Sequence, residues 1–405
     1  MPAKTAALAT AVAAVALATV SLSATPAQAR TVERFRVPAG GSFTVSGHGY
    51  GHGHGMSQYG AEGAARQGLS ASQILSFYYP GTTVATKVQP IRVLITADTT
   101  RDTAVLAEPG MTMRDLGSGT TYALPDIAGV RRWRLNVDQR GETVVGYQTG
   151  RWHRYRPGGL AHLVGDGQFR AADGTLTLVL PGGTAPATYR GALRGASPSA
   201  GSPDRDTVNV VSVEQYLRGV VSAEMPASWD PAALQAQAVA ARTYALFEKA
   251  ENAHRSYQIC DTWSCQVYRG TSAEYPSTDA AVRATRGQYL AYAGQPAFTQ
   301  FGSSSGGWTT DGGQAYLPAQ ADPYDGWAGN PVHDWSTTVD ERVVERRYPA
   351  LGDLQTIKIT ARDGNGDYGG RVLSMVLVGA KSRQGISGAT FQALYGLRST
   401  WFDLG

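Results

Sequence analysis

The first apolar run extends from Ala6 to Val20 with Lys4 as the only charge near it, and Ala27-Gln28-Ala29 follows as a small-x-small step. This arrangement predicts an export signal over residues 1–29, cleaved before Arg30. Ser21, Ser23, Thr25 and Pro26 interrupt the run, which is short for a bilayer crossing. No later stretch is long and apolar enough to span, so the expectation is a secreted, extracellular chain with no transmembrane segment after signal cleavage.

Beyond the signal the apolar spacing changes from segment to segment. Thr31 to Val45 reads as extended, and the ribbon Gly47-His48-Gly49-Tyr50-Gly51-His52-Gly53-His54-Gly55 follows. A helix is predicted from Ser57 to Gln67, stopped by Gly68, and a second from Ala71 to Tyr79, ended by Pro80-Gly81. From Ile91 to Val211 the alternation is mostly of period two. Candidate strands are Ile91–Thr96, Thr143–Gln148, Thr175–Val179 and Val208–Val211, with a Ser/Gly/Pro loop at Ser197 to Pro203.

Helical spacing returns after Ser212. This residue is placed as an N-cap with Gln215 three positions on, and Val213, Leu217, Val220 and Val221 form one apolar stripe. A second helix opens at Asp230-Pro231 and runs through alanine-rich sequence to about Ala250. Short strands, a loop at Gly302–Gly307 and a hairpin of Leu354–Thr360 with Arg371–Val378 complete the chain, which has no internal repeat. The fold class predicted is α+β: a β-rich half and a two-helix core in one composite domain. Its regions are residues 30–90, the β-rich 91–207, and 208–405.

With 405 residues, 42% hydrophobic and 17% charged, the chain can bury a large core. The net charge of +4 suits an anionic surface. Nucleic acid is a poor partner, because the basic residues are scattered and no Lys/Arg cluster is interleaved with aromatics. Cys260 and Cys265 are the only cysteines, and in an exported chain a local disulfide is the first reading. A zinc site using both thiolates and His254 is the other.

Glu224 is the residue marked out for chemistry. At 3.6 residues per turn it falls on the same face as Leu217 and Val220, so a carboxyl sits on an apolar stripe. Met225 precedes Pro226, which ends the helix there and leaves Glu224 at the negative end of its dipole. Burial and dipole both disfavour the anion. A carboxylic acid held protonated near neutral pH is what glycoside cleavage needs to protonate a leaving oxygen. The plainer reading is a buried glutamate tied to backbone amides or to an arginine such as Arg242.

Several long motifs resemble the sporulation stage II protein D family (SpoIID/LytB), which includes the amidase enhancers. They are Val208 to Val211, Glu214 to Val221, Glu224-Met225-Pro226, Gln235 to Tyr244, Cys265 to Tyr268, Ser303 to Gly307 with Thr309, and Gly396 to Thr400 with Phe402. Gly51-His52-Gly53 with Gly55 to Ala61 also matches, but in the family's usual order this motif follows the Leu397-Arg398-Ser399-Thr400 segment. Here it comes first, which looks like a circular permutation and requires Phe43 to Tyr79 to pack beside the C-terminal segment.

The resemblance implies a lytic transglycosylase of the bacterial cell wall. Such an enzyme cuts peptidoglycan glycan strands between N-acetylmuramic acid and N-acetylglucosamine, and an internal sugar hydroxyl replaces water. The family's catalytic glutamate falls on Glu224. His52, Gln58, Ser57, Ser304, Ser305, Trp308 and Arg242 are the expected substrate-binding residues, Arg242 pairing with a carboxyl or with substrate. No cofactor and no metal is required. The same resemblance carries a second class, a non-catalytic peptidoglycan binder that enhances a wall amidase.

Other motifs have plainer readings. His52 and His54 form His-x-His, which would suit a zinc peptidase, but no partner motif completes the site. Gly302-Ser303-Ser304-Ser305-Gly306 fits a nucleophile elbow, but the sequence after it is a poor helix. Asp363, Asn365 and Asp367 imitate a calcium loop, yet Tyr368 and Ser374 stand where glycine and glutamate are needed, so a hairpin turn is expected. Of eight tryptophans, Trp308 is the first choice for stacking on a sugar because it follows the serine loop.

Overall fold

The structure, a computed structural model, describes residues 32–38, 41–199 and 201–405. The export signal assigned to residues 1–29 lies outside the described residues. The class is α+β.

Local capping chemistry sets the helices. Helix α1 (Gln58–Arg66) starts at Ser57, whose hydroxyl accepts the Gly60 N–H at 2.9 Å. Helix α2 (Ala71–Tyr78) starts in a capping box between Ser70 and Gln73. The helix predicted to run from Ser212 to Glu224 is two pieces, α3 (Val213–Arg218) and α4 (Val221–Glu224). Ser212 caps α3 by accepting the Gln215 N–H at 3.2 Å. The break comes at Gly219, where the backbone crosses the Gly270 carbonyl and the Tyr268 ring so closely that a Cβ would meet them at 2.6 and 2.7 Å. The continuous stripe inferred from helical spacing is therefore interrupted. Glu224 ends a single turn, not a long helix, so the dipole invoked for it is small.

Helix α5 (Pro231–Glu251) is the spine of the molecule, capped by Asp230, whose carboxylate accepts the Ala232 N–H at 2.8 Å. Its alanines let it be buried on two sides. Ala238, Ala241 and Ala245 pack into a core shared with the large sheet, while Ala233, Ala236 and Ala240 pack with α1, α2 and Met56 in a second.

The β-rich half is one eleven-stranded sheet. Its main path runs Trp152–Tyr155, Thr143–Gln148, Arg132–Val137, Thr103–Leu106, Gly167–Leu178, Ala187–Ala196, Asp206–Ser212, Pro90–Leu94, Ile259–Cys260, and Thr112–Asp115 with Thr121–Ala123 branch from it. Pairing is antiparallel except for Ile259–Cys260, which adds in parallel beside Pro90–Leu94. That last short strand carries the chain from α5 to the region of Glu224.

A three-stranded sheet sets Ser42–His48 between Asp334–Asp340 and Phe402–Leu404. The segment that leads into the glycine ribbon thus lies against the C-terminal strand. Phe43, Val45, Phe391, Phe402 and Leu404 share a third core with the hairpin strands Leu354–Arg362 and Val372–Gly379. At the turn of that hairpin Asp363 accepts the backbone N–H groups of Asn365 and Arg371.

Candidate functional site

The end of α4, the glycine ribbon and the loop after Ile259–Cys260 meet around a cavity of about 310 Å³. Glu224 and His52 line it together with Tyr244, Gln300 and Phe301, and Trp263, Ser264, Cys265 and Val267 close one side. Two residues far apart in sequence, Glu224 and His52, thus line one cavity.

Glu224 reaches this position because the chain turns extended at Met225, ahead of Pro226. The backbone N–H of Val267 donates to its Oε1 at 2.8 Å. Burial is the main influence on the carboxyl and raises its pKa, while the Val267 N–H and the Gln58 side chain oppose this. Gln58 is buried at the start of α1 and acts on the Glu224 carboxyl as a weak donor, because its Nε2 falls outside regular hydrogen-bond geometry with any partner. A buried donor so weakly engaged beside a carboxyl is free to bond an incoming acceptor.

The ribbon is held by its own backbone. Tyr50 and Ser304 exchange N–H···O bonds at 2.9 and 3.1 Å, and Met56-Ser57 pairs in parallel with Phe301-Gly302. Gly53, at φ +81°, has no room for a side chain because the Arg371 guanidinium lies against it. Arg371 is buried and donates to the carbonyls of Gly51 and Ser305 at 3.2 and 3.3 Å. Burial brings its pKa down to about 10.

His52 accepts the His54 N–H on Nδ1 at 2.9 Å, which assigns the proton of the neutral ring to Nε2. The ring keeps an exposed edge, yet the crowding of atoms around it first, then the neighbouring His54 and Arg371, lower its pKa to about 4, against a hydrogen bond to the Phe301 backbone. His52 is therefore an uncharged ring at neutral pH. His54 turns to Gln300 at 3.1 Å, and His48 pairs with Asp334 at 2.6 Å.

The serines expected to touch substrate do something else. Ser57, Ser304 and Ser305 are buried, and their hydroxyls are spent on two aspartates. Ser57 donates to Asp325 Oδ1 at 2.5 Å and Ser304 to Asp325 Oδ2 at 2.7 Å, while Ser305 donates to Asp322 at 2.8 Å. Asp325 also accepts from Asn330, from the Ser305 and Gly306 amides and from the His333 ring. These bonds outweigh burial and hold its carboxyl below the ordinary range. Asp322, bonded also by the Tyr78 hydroxyl, is raised to about 6 by burial and by the charge of Asp325. The elbow reading fails here: Ser304 donates to a carboxylate rather than a histidine, and no helix follows Gly306.

Arg242 is also structural. It is fully buried and forms a bidentate pair with Glu214 at 2.8 Å through Nε and 2.8 Å through Nη2. Of the two expectations for it, carboxyl pairing is the one the geometry satisfies. Trp308 is not among the cavity residues, and its buried Nε1 has no partner. The tryptophan at the cavity is Trp263, whose loop carries the Cys260–Cys265 disulfide, with Cα atoms 5.5 Å apart. His254 lines a different groove, with Arg92 and Arg194.

Of the residues singled out from the sequence, Glu224 and His52 line the cavity and Gln58 lies by the Glu224 carboxyl, while Trp263, Gln300 and Tyr244 line it and Arg371, Asp322 and Asp325 support the ribbon and serine loop without having been singled out. Trp263 carried a signal, an aromatic enclosed between two cysteines. Asp322 and Asp325 carried none, because nothing local distinguishes them from surface turn residues.

Residues 202–292, which hold Glu224 and the Val267 amide, match the family model described as SpoIID, stage II sporulation protein. The chain is 34% identical over 137 residues to the amidase enhancer of Bacillus subtilis, covering 32% of this chain and 18% of that protein. It is 37% identical over 133 residues to stage II sporulation protein D of the same organism, covering 29% of this chain and 38% of the relative. Stage II sporulation protein D of Bacillus amyloliquefaciens is 29% identical over 218 residues, covering 49% and 61%. The matched part is therefore less than two thirds of each of these relatives.

Proposed function

Since this chain belongs to the SpoIID family, we propose that it acts outside the cytoplasmic membrane as a lytic transglycosylase on peptidoglycan glycan strands, with Glu224 as acid and base. The observation that carries the reading is a carboxyl raised by burial, fixed through one oxygen and set in a cavity beside a neutral imidazole. Val267 occupies Oε1, leaving Oε2 to carry the transferable proton.

Glu224 donates that proton to the glycosidic oxygen between N-acetylmuramic acid and N-acetylglucosamine as the C–O bond breaks. The resulting carboxylate then takes the proton of an internal hydroxyl of the muramic residue while that oxygen bonds to the anomeric carbon. The acid is restored, no water is consumed and an anhydro sugar end remains. The weakly engaged Nε2 of Gln58 is a donor for a sugar oxygen beside the carboxyl. His52 contributes an uncharged wall that leaves the glutamate without a nearby cation to ionise it.

The test is release of soluble fragments from purified sacculi. The secreted protein is expected to release them and the Glu224→Gln variant to lose the activity; equal release by both would overturn the role. The relative named amidase enhancer favours a second reading, in which the same cavity binds glycan without cutting it and assists a wall amidase. Sacculus binding without fragment release, with stimulation of an added amidase, would select that reading.

A further inference from the structure

Trp263 is 87% exposed, more than any other large hydrophobic side chain among the described residues. A single exposed apolar residue needs no explanation by itself. This one is held in place. It lies in the loop closed by the Cys260–Cys265 disulfide, and the loop is tied at both ends. Ile259–Cys260 is bound into the large sheet beside Pro90–Leu94. Asp261 accepts the Thr96 N–H at 3.1 Å and the Thr96 hydroxyl at 2.7 Å, and its own carbonyl accepts the Tyr268 N–H at 3.1 Å. Within the loop the Cys265 N–H bonds the Thr262 carbonyl at 2.9 Å. A rigid backbone thus presents a bare indole at the Glu224 cavity.

Resting on the glycan reading above, we propose that Trp263 is the sugar-stacking residue of this site and that its subsite takes an uncharged pyranose ring. The rest of the lining supports the ligand class. Ser264, Gln300 and Tyr244 offer neutral donors and acceptors, and among the described residues no lysine or arginine lines the cavity to meet a carboxylate of a peptide or an acidic polymer. An indole with an apolar face and little conformational freedom is suited to the C–H face of a sugar. Because the loop is already ordered, stacking costs little entropy on binding.

The test is calorimetric titration of the β-1,4-linked N-acetylglucosamine tetramer, with sacculus co-sedimentation alongside. Glu224→Gln protein is used so that no bond is cut. Trp263→Ala in that background is expected to weaken tetramer binding about tenfold or more, and Trp263→Phe to stay within about threefold of the parent. Since Trp263 is exposed, its variants should keep the parent's circular dichroism and melting temperature. Equal affinity in Trp263→Ala and the parent would overturn the stacking role. Sacculus binding by the parent without tetramer binding would overturn the neutral-sugar subsite and leave the glycan reading standing. Failure of the parent to bind either probe would overturn both.

Discussion

The Val267 N–H donates to Oε1 of Glu224 at 2.8 Å, and this bond joins the carboxyl to the segment that carries the Cys260–Cys265 disulfide and Trp263. The acid, the loop that fixes it and the exposed indole are one mechanical unit. Its parts should respond together when one is changed.

The first consequence concerns pH. Burial raises the Glu224 pKa, and the Val267 N–H and Gln58 lower it. The protonated form is the one that donates, so kcat/KM should fall as pH rises through a midpoint above the ordinary glutamate value. Removing an opposing group moves the midpoint further up. Gln58→Ala should shift the alkaline limb to higher pH whatever it does to the maximum rate. A profile of glycan release against pH for both proteins checks this, and an unmoved or lowered limb contradicts it.

His52 gives a stability prediction of definite sign. Its folded pKa of about 4 lies below the ordinary value of 6.5, so between these values the unfolded chain binds more protons and stability falls as pH falls. Asp322 and Glu224, both raised, work in the opposite direction at acid pH, so total stability is a poor readout. The informative quantity is the difference between wild type and His52→Gln. From pH 7 to 4.5 the variant should gain on the wild type in chemical denaturation, by less than the full shift implies because the His52 ring is open to solvent on one side.

The serine loop separates structure from chemistry. Ser304→Ala should cost about 1–2 kcal/mol of stability, because a buried hydroxyl bonded to Asp325 is removed. Glycan release by the folded variant should stay within about threefold of wild type, whereas a serine nucleophile would lose it entirely. Asp325→Asn should cost about 3 kcal/mol or more, since the donors aimed at that carboxylate lose its charge. Urea unfolding paired with activity on sacculi distinguishes the two effects.

The disulfide links stability to recognition. Closing so short a loop stabilises by about 2 kcal/mol on the chain-entropy view. The double substitution Cys260→Ser with Cys265→Ser should lower stability by about that amount. It should also weaken glycan binding and move the alkaline limb of Glu224 upward as the Val267 bond loosens. Loss of stability with unchanged binding and an unchanged profile would show that the loop does not communicate with the carboxyl.

What the sequence disclosed follows the range of the interactions involved. Helix starts at Ser57, Ser212 and Asp230 were readable because a cap and its amide lie within three residues of each other. The break at Gly219 was not, because it depends on Gly270 and Tyr268 crossing from elsewhere. The eleven-stranded sheet was only partly visible. Thr143–Gln148 was read with its observed bounds, but Arg132–Val137 and Ala187–Ala196 were passed over among glycine and proline turns.

The site divides in the same way. Glu224 stood out as a carboxyl on an apolar stripe, although the stripe is broken and the cavity that receives it comes from three separated segments. The serines were read as ligand contacts because their polarity was visible and their partners, Asp322 and Asp325, were not. Trp308 was preferred to Trp263 on proximity to that loop, and the exposure of Trp263 at the cavity exists only in three dimensions.

The central claim is that one half-buried carboxyl cuts glycan without water, and the ends of the product strands record it. Sacculi digested with the purified protein and analysed by mass spectrometry should yield fragments ending in anhydro-muramic acid, and none when Glu224→Gln is used. Reducing muramic ends, or anhydro ends of equal abundance from the variant, would contradict it.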